Sequence, residues 1–212
     1  MLEELELLRA MFEVYEGGVF LHRGRTFVVQ DVNHDSRIAR VTRADVNWVT
    51  APRDFTDVDA IQTWRIKQVG AWRACYGRVH VQVIVFGFYK IRHNTILDAV
   101  ALDTAPWSHT TTGFWIDLPA ATLALLRLKR FLPAAAIHSA AHAVLNGFVF
   151  ADVKTECKAA EKELLKKDSK RKRPARLIFY DSVGLEGVSR NAFDHGLLRF
   201  LLHYVSLISF SA

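Results

Sequence analysis

The sequence predicts an α+β fold: a curved, mainly antiparallel sheet or partial barrel, followed by helices and one late strand. Three observations carry this expectation. Apolar residues recur with a period of two in successive segments between Val19 and Ile116, the pattern of half-buried strands. Helical spacing takes over after Pro119. A short unbroken apolar run, Leu177-Ile178-Phe179-Tyr180, then follows Pro174 and reads as a buried strand. Because the period-two segments come first and the helical ones later, this arrangement is preferred to an alternating α/β one. The same change divides the chain into a mainly β subdomain over 1–118 and a helical subdomain over 119–212, the latter carrying a basic tether (154–176) and the strand 177–180. Fifty per cent hydrophobic residues, with five Trp and fourteen Phe in 212 residues, supply a real core.

In order along the chain, Leu2 to Phe12 has apolar positions at helical spacing, with Glu3, Glu4 and Glu6 early, where a helix amino terminus favours negative charge. Gly17-Gly18 stops it. Val19 to Leu21, a turn at Arg23-Gly24, Thr26 to Val29, a polar turn over Asn33-His34-Asp35-Ser36 and Ile38 to Val41 form a β-meander. Val46 to Thr50 adds a short strand. Pro52-Arg53-Asp54 with Asp57 and Asp59 reads as an acidic loop. Its carboxylates suggest a hard cation, but calcium-loop spacing is absent, and Asp side chains capping turns account for them.

Arg78 to Lys90 gives the strongest strand signal, with Val79, Val81, Val83 and Val85 on one face and Gly87 as a bulge. Ile96 to Leu102 and Phe114 to Ile116 are further strands. The polar loop between them, Asp103 to Thr112, offers Trp107 and His109 either for stacking on a base or, as is commoner, for plugging the edge of the core. Pro119 opens a helix to about Arg130 and Pro133 another through Leu145, each Pro in the first turn, where its missing donor does no harm. Asn146-Gly147 ends the second. His138 and His142 stand four apart on it, a spacing that lets two imidazoles share a metal. No Glu follows His138 and no third ligand is identifiable, so a small-residue helix packed on the sheet is the preferred reading. From Asp194 to Phe210 the tail has the spacing of an amphipathic helix of about four turns.

The stretch KTECKAAEKELLKKDSKRKRPARLIFYD (154–181) holds most of the functional signal. From Lys154 to Arg176 it carries ten of the 28 Lys and Arg and four of the 22 Asp and Glu, leaving 18 of each elsewhere, so the whole net charge of +6 sits in this segment. Glu161, Lys162, Glu163, Lys166 and Lys167 are spaced for charge pairs one helical turn apart over Leu164 and Leu165. Pro174 ends that helix and forces extended backbone after it. Such a concentration of charge attracts nucleic-acid phosphate. It is also what a solvated helix face or an import tag at Lys170-Arg171-Lys172-Arg173 looks like.

Several separate segments, in order, resemble the carboxy-terminal region of the eukaryotic, fungal-type RecQ-like DNA helicases, relatives of the bacterial Mrr-associated helicases. They are YEGGVFLHRGRTFVVQ (15–30), DVNWVTAPRDFTDVD (45–59), GRVHVQVIVFGFYKI (77–91), GFWIDLP (113–119), AAIHSAAHAVL (135–145) and TECKAAEKELLKKDSKRKRPARLIFYD (155–181). The resemblance runs from about Leu2 to Asp194. It implies a parent protein that unwinds DNA 3′ to 5′ with ATP and magnesium, acts in DNA repair in the nucleus, and carries a zinc-binding carboxy-terminal domain whose scaffold includes the IHSAAHA segment. This chain departs from the pattern where the family continues through a cysteine cluster: LHYVSLISFSA stands there instead, so the zinc is not carried over.

The chain has no glycine-rich phosphate loop ending in Lys-Ser or Lys-Thr, no GxSxG elbow and no HExxH, so no catalytic residue is assigned. Cys75 and Cys157 are 81 intervening residues apart with no second Cys beside either, which makes neither a disulfide framework nor a four-Cys zinc site. No cofactor and no metal are expected in this chain. With no long uncharged apolar stretch, no membrane partner is expected either. The first expectation is an accessory carboxy-terminal domain, a fragment or truncated gene product, that contacts single-stranded DNA while motor lobes of the parent protein supply the power. Its contacts would run through Lys166, Lys167, Lys170, Arg171, Lys172, Arg173 and Arg176. The alternative is an independent protein-interaction module whose basic run is a nuclear-import signal. An enzyme built on His138 and His142 is a third reading, and it lacks a third catalytic partner.

Overall fold

The structure, a computed structural model, describes residues 1–69, 72–146, 153–158, 175–182 and 187–195. It divides into two compact units, Met1–Thr56 with Gln82–Trp107, and Asp57–Val81 with Ser108–Ala212. The division runs through two long strands, whereas the sequence suggested a boundary near residue 118. Strands are mostly antiparallel, four helices lie among the described residues, and the sheets do not close into a barrel.

The first unit opens with α1 (Leu7–Glu13) and the meander β1 (Val19–His22), β2 (Arg25–Asn33) and β3 (Ile38–Arg43). These three form their own antiparallel sheet in the order β1-β2-β3. The helix starts later than the acidic residues suggest. Glu3 is held by Arg9 at 3.5 Å and by His22, so its charge is used by side chains rather than by a helix end.

Next come β4 (Val49–Val69), β5 (Trp72–Arg92) and β6 (Thr95–Ala101). The acidic loop expected around Pro52–Asp59 is instead the interior of β4. An edge strand tolerates a proline, and β4 lies at the edge of its sheet, with Val58 fully buried between Asp57 and Asp59. Nor is Gly87 a bulge: it pairs with Ala101, and the register slips at Lys90/Ile91. Glycine is required there because a Cβ would run into the carbonyl oxygen of Val100. Tyr15, Val85 and Phe88 form this unit's apolar centre, with the Tyr15 and Phe88 rings stacked at 5.0 Å. Burial holds the Tyr15 phenol above its ordinary pKa, partly offset by a hydrogen bond with Thr50.

The second unit adds β7 (Trp107–Asp117), α2 (Ala120–Leu128), α3 (Pro133–Leu145), β8 (Val153–Lys158), β9 (Arg176–Asp181) and α4 (Val188–His195). Its sheet runs β4-β5-β7-β9-β8. β9 pairs antiparallel with β7 from Gly113↔Tyr180 to Asp117↔Arg176, and with β8 from Val153↔Asp181 to Lys158↔Arg176. The expected strand at Leu177–Tyr180 is therefore central and buried. Two expectations fail here. Residues 107–112 belong to β7 rather than to a loop, and residues 154–158 are strand rather than the start of a charged helix. Pairing along β9 holds these residues extended, and Thr155 Oγ1 also donates to the carbonyl of Ile178 at 3.1 Å. The remaining residues of the expected charged helix lie outside the described residues, as do those after His195 in the expected tail helix.

The core of this unit is built on Phe114 stacked on Phe179 at 4.9 Å. α3, with Pro133 at its first position, buries Pro133, Ile137, Ala141 and Val144, a helical stripe that closes one side of that core. α4 is fixed by a buried carboxylate. Asp181, fully buried, accepts the backbone N–H of Ser189 at 2.6 Å and of Gly187 at 3.0 Å, and the hydroxyls of Ser189 at 2.9 Å and Thr112 at 2.6 Å. The anion sits at the helix amino terminus, where free N–H groups and the helix dipole both favour it. α4 in turn brings Phe193 into the core.

Candidate nucleic-acid interface

Of the seven cations singled out from the sequence, Lys166, Lys167, Lys170, Arg171, Lys172 and Arg173 lie outside the described residues. Their anchorage does not. Lys158 ends β8, Arg176 begins β9, and the two are register partners. The intervening chain therefore leaves and re-enters the sheet at neighbouring points on one end of a β-ladder. Arg176 is engaged in that frame: its Nε and Nη2 both approach Asp117 Oδ1 at 2.7 Å, and its guanidinium lies 5.8 Å from the centre of the Trp115 ring. Asp117 is also its register partner on β7. This cation closes the root of the basic segment.

A second set of basic residues was not foreseen. Between Asp59 and Asp98 the chain contains no acidic residue and six basic ones, Arg65, Lys67, Arg73, Arg78, Lys90 and Arg92. Charge summed over the whole sequence hides this, because acids elsewhere balance it. Within the second unit, Arg78 lies 5.7 Å over the Trp64 ring, and Arg65 and Lys67 lie 5.4 and 6.0 Å over Phe193. Lys67 also donates to the Phe193 carbonyl at 3.4 Å. Arg65 is matched by Asp194 at 2.7 Å, while Arg73 and Arg78 are exposed. In the first unit, Arg53 lies 5.0 Å over both Phe86 and Tyr89, and Lys90 lies 5.1 Å over Trp48. The missed signal was the acid-free stretch, together with cations set next to aromatics as in Thr63-Trp64-Arg65-Ile66-Lys67.

The remaining sequence candidates fall elsewhere. Trp107 and His109 are half-buried on β7. Burial, with the charges of His80 and Lys154, lowers the His109 pKa. His138 and His142 are exposed on α3, rings edge-on at 4.5 Å. The helix packs on the sheet as expected, through Ile137, Ala141 and Val144, and the two histidines lie off that stripe. Cys75 is buried in β5. Among the described residues, no group of three or more His, Cys, Asp or Glu is placed to hold a metal ion. No helix among them is long and apolar enough to cross a membrane.

No family profile matches the chain. Two curated proteins do. The chain is 41% identical over 209 residues to "ATP-dependent helicase HRQ1" of Saccharomyces cerevisiae, and 39% identical over 205 residues to "ATP-dependent helicase hrq1" of Schizosaccharomyces pombe. Each match covers 92% of this chain and 19% of the relative, so the chain spans about a fifth of the length of these proteins. Among solved structures, "DUF1998 helicase MrfA bound to DNA" matches with a TM-score of 0.58 at 17% identity, covering 96% of this chain and 26% of the other. The same helicase "bound to DNA and AMPPNP" matches at 0.54, also at 17% identity, covering 98% and 24%. At that identity the likeness is one of fold.

Proposed function

Since the chain is homologous to the carboxy-terminal region of the yeast Hrq1 ATP-dependent helicases, we propose that it is the DNA-contacting accessory domain of a RecQ-like helicase. In this reading it grips single-stranded DNA while motor lobes of the parent protein, using ATP and magnesium, unwind 3′ to 5′ during DNA repair in the nucleus. The observation that carries the proposal is the long match to two helicases over nearly the whole chain. The basic segment supports it physically. Lys166, Lys167, Lys170, Arg171, Lys172 and Arg173 stand in sequence between Lys158 and Arg176, which are register partners on the β8–β9 ladder, and phosphates can displace their counterions. Contacts of this type position a strand without reading its sequence.

The test is the affinity of the 212-residue chain for a fluorescent single-stranded oligonucleotide across a salt series. Six phosphates neutralised net at ~0.7 per contact give a log–log slope of about −4. Combining Arg171→Glu, Lys172→Glu and Arg173→Glu is expected to weaken binding to all sequences alike and to flatten that slope. No measurable binding by the wild type at low salt would end the proposal. Unchanged affinity in the triple variant would remove the basic segment from it.

A further inference from the structure

Trp64 is 44% exposed on β4, although an indole is among the side chains that gain most from burial. It is nevertheless held in place. Tyr76 meets it edge-on, with ring centres 5.8 Å apart and planes at 64°, and the Arg78 guanidinium lies 5.7 Å over the ring. Tyr76 is buried and rests on Phe193 at 5.6 Å, which α4 carries into the core. Gly77, between the two residues that flank the indole, makes this geometry possible. A Cβ there would run into the carbonyl oxygen of Gln62, so β4 and β5 approach closely enough to frame the ring only with glycine.

We propose that the Trp64 indole is a stacking platform for one unpaired base of a single-stranded nucleic acid, with Arg78 and Lys67 meeting the neighbouring phosphates. The inference deepens the functional reading above and rests on it. An exposed, immobilised indole presents a flat π-surface at little entropic cost, and stacking on it tolerates every base. The charge around it favours a phosphate chain over a protein helix or strand. From Ala60 to Leu97 there is no carboxylate, and Asp194, brought in from α4, is matched to Arg65. The cation over the indole fits the same role, since it orients the ring and carries charge to the side of the bound base.

Trp64→Ala and Trp64→Phe in the 212-residue chain test the assignment, with oligo(dT) as probe and a duplex of equal charge as control. Trp64→Ala is expected to weaken oligo(dT) binding about 5- to 150-fold, the range set by losing one base–aromatic stack. Its salt slope should stay that of the wild type, and Trp64→Phe should keep most of the affinity. Duplex binding should not change, because paired bases offer no free face. If Trp64→Ala does not fold, quenching decides: subtracting the Trp64→Phe signal from that of the wild type isolates the indole's fluorescence, which oligo(dT) must quench. Wild-type binding with unaltered affinity in Trp64→Ala, or an unquenched Trp64 signal, overturns the stacking assignment alone. Absence of wild-type binding overturns the functional reading and this inference with it.

Discussion

Replacing Asp181 with Ala should loosen the face that carries Trp64, although the two residues do not touch. The Asp181 carboxylate accepts two backbone N–H groups and two hydroxyls at 2.6–3.0 Å, and it is fully buried. Alanine leaves the N–H groups of Gly187 and Ser189 without that acceptor, at about 1–3 kcal/mol each. The hydroxyls of Ser189 and Thr112 can turn elsewhere and contribute less. The expected loss is therefore about 3–5 kcal/mol, comparable to breaking a buried charge network. For a chain of this size, that lowers Tm by about 6–20 °C. Because α4 carries Phe193 and Asp194, the partners of Tyr76, Arg65 and Lys67, the same change frees the base of the aromatic cluster. Urea and thermal unfolding followed by far-UV circular dichroism and Trp fluorescence give the number. Asp181→Asn, which keeps the shape but loses the charge and turns an amide donor toward donors, should fall between. A stability within about 0.5 kcal/mol of wild type for Asp181→Ala, the range of an indifferent surface site, would refute the role assigned to this carboxylate.

Two further outcomes are expected. Arg176→Ala should cost about 1–2 kcal/mol through the lost Asp117 pair and the contact with Trp115, and leave oligonucleotide affinity unchanged at equal folded fraction; a clear fall in affinity would return Arg176 to the interface. The His109 pKa is lowered chiefly by burial, so the unfolded chain takes up a proton first as pH falls. The stability that the neutral ring contributes is complete above about pH 6.5 and is lost as pH drops from there toward the lower folded value. His109→Gln should flatten that part of the stability profile, and an unchanged profile between pH 7 and 5 would contradict it.

Local chemistry made some elements legible in the sequence. The β1–β2 turn was marked by Arg23-Gly24, both of which adopt positive φ, as a two-residue hairpin requires. The helices after Pro119 and Pro133 were marked by proline's fit to a first turn. Leu177–Tyr180 was marked by an apolar run after Pro174. What the sequence hid was pairing at a distance. Residues 154–158 lead into the charge-patterned run Glu161–Lys167, yet they are strand because β9, 18 residues from Lys158 at their closest pair, supplies the ladder. Residues 52–59 contain a proline and three aspartates, yet they extend because β4 runs along an edge. The candidate site divides in the same way. A run of like charge is visible at once, but Trp64 and Arg78 are 14 positions apart and become one surface only when β4 and β5 lie side by side.

The two sets of basic residues have to be reachable by one strand if they serve one ligand, and the sheet order bounds whether they are. From β8 to β4 there are four steps in the order β8-β9-β7-β5-β4, about 19 Å at the usual inter-strand spacing of ~4.8 Å. The chain between Lys158 and Arg176 leaves and returns at paired residues. Arg173 and Lys170 stand three and six residues before Arg176, so at ~3.3–3.6 Å per residue the chain limits their Cα atoms to about 10 and about 20 Å from that root. The span of the sheet is of the same order as that reach, so phosphates held by Lys170–Arg173 and a base stacked on Trp64 are compatible with a single strand crossing the sheet face. If both contacts act on one strand, the penalties of Trp64→Ala and of the Arg171–Arg173 charge reversal should grow together with oligonucleotide length. An oligonucleotide too short to span the sheet should feel one or the other, because the second contact is then no longer intramolecular.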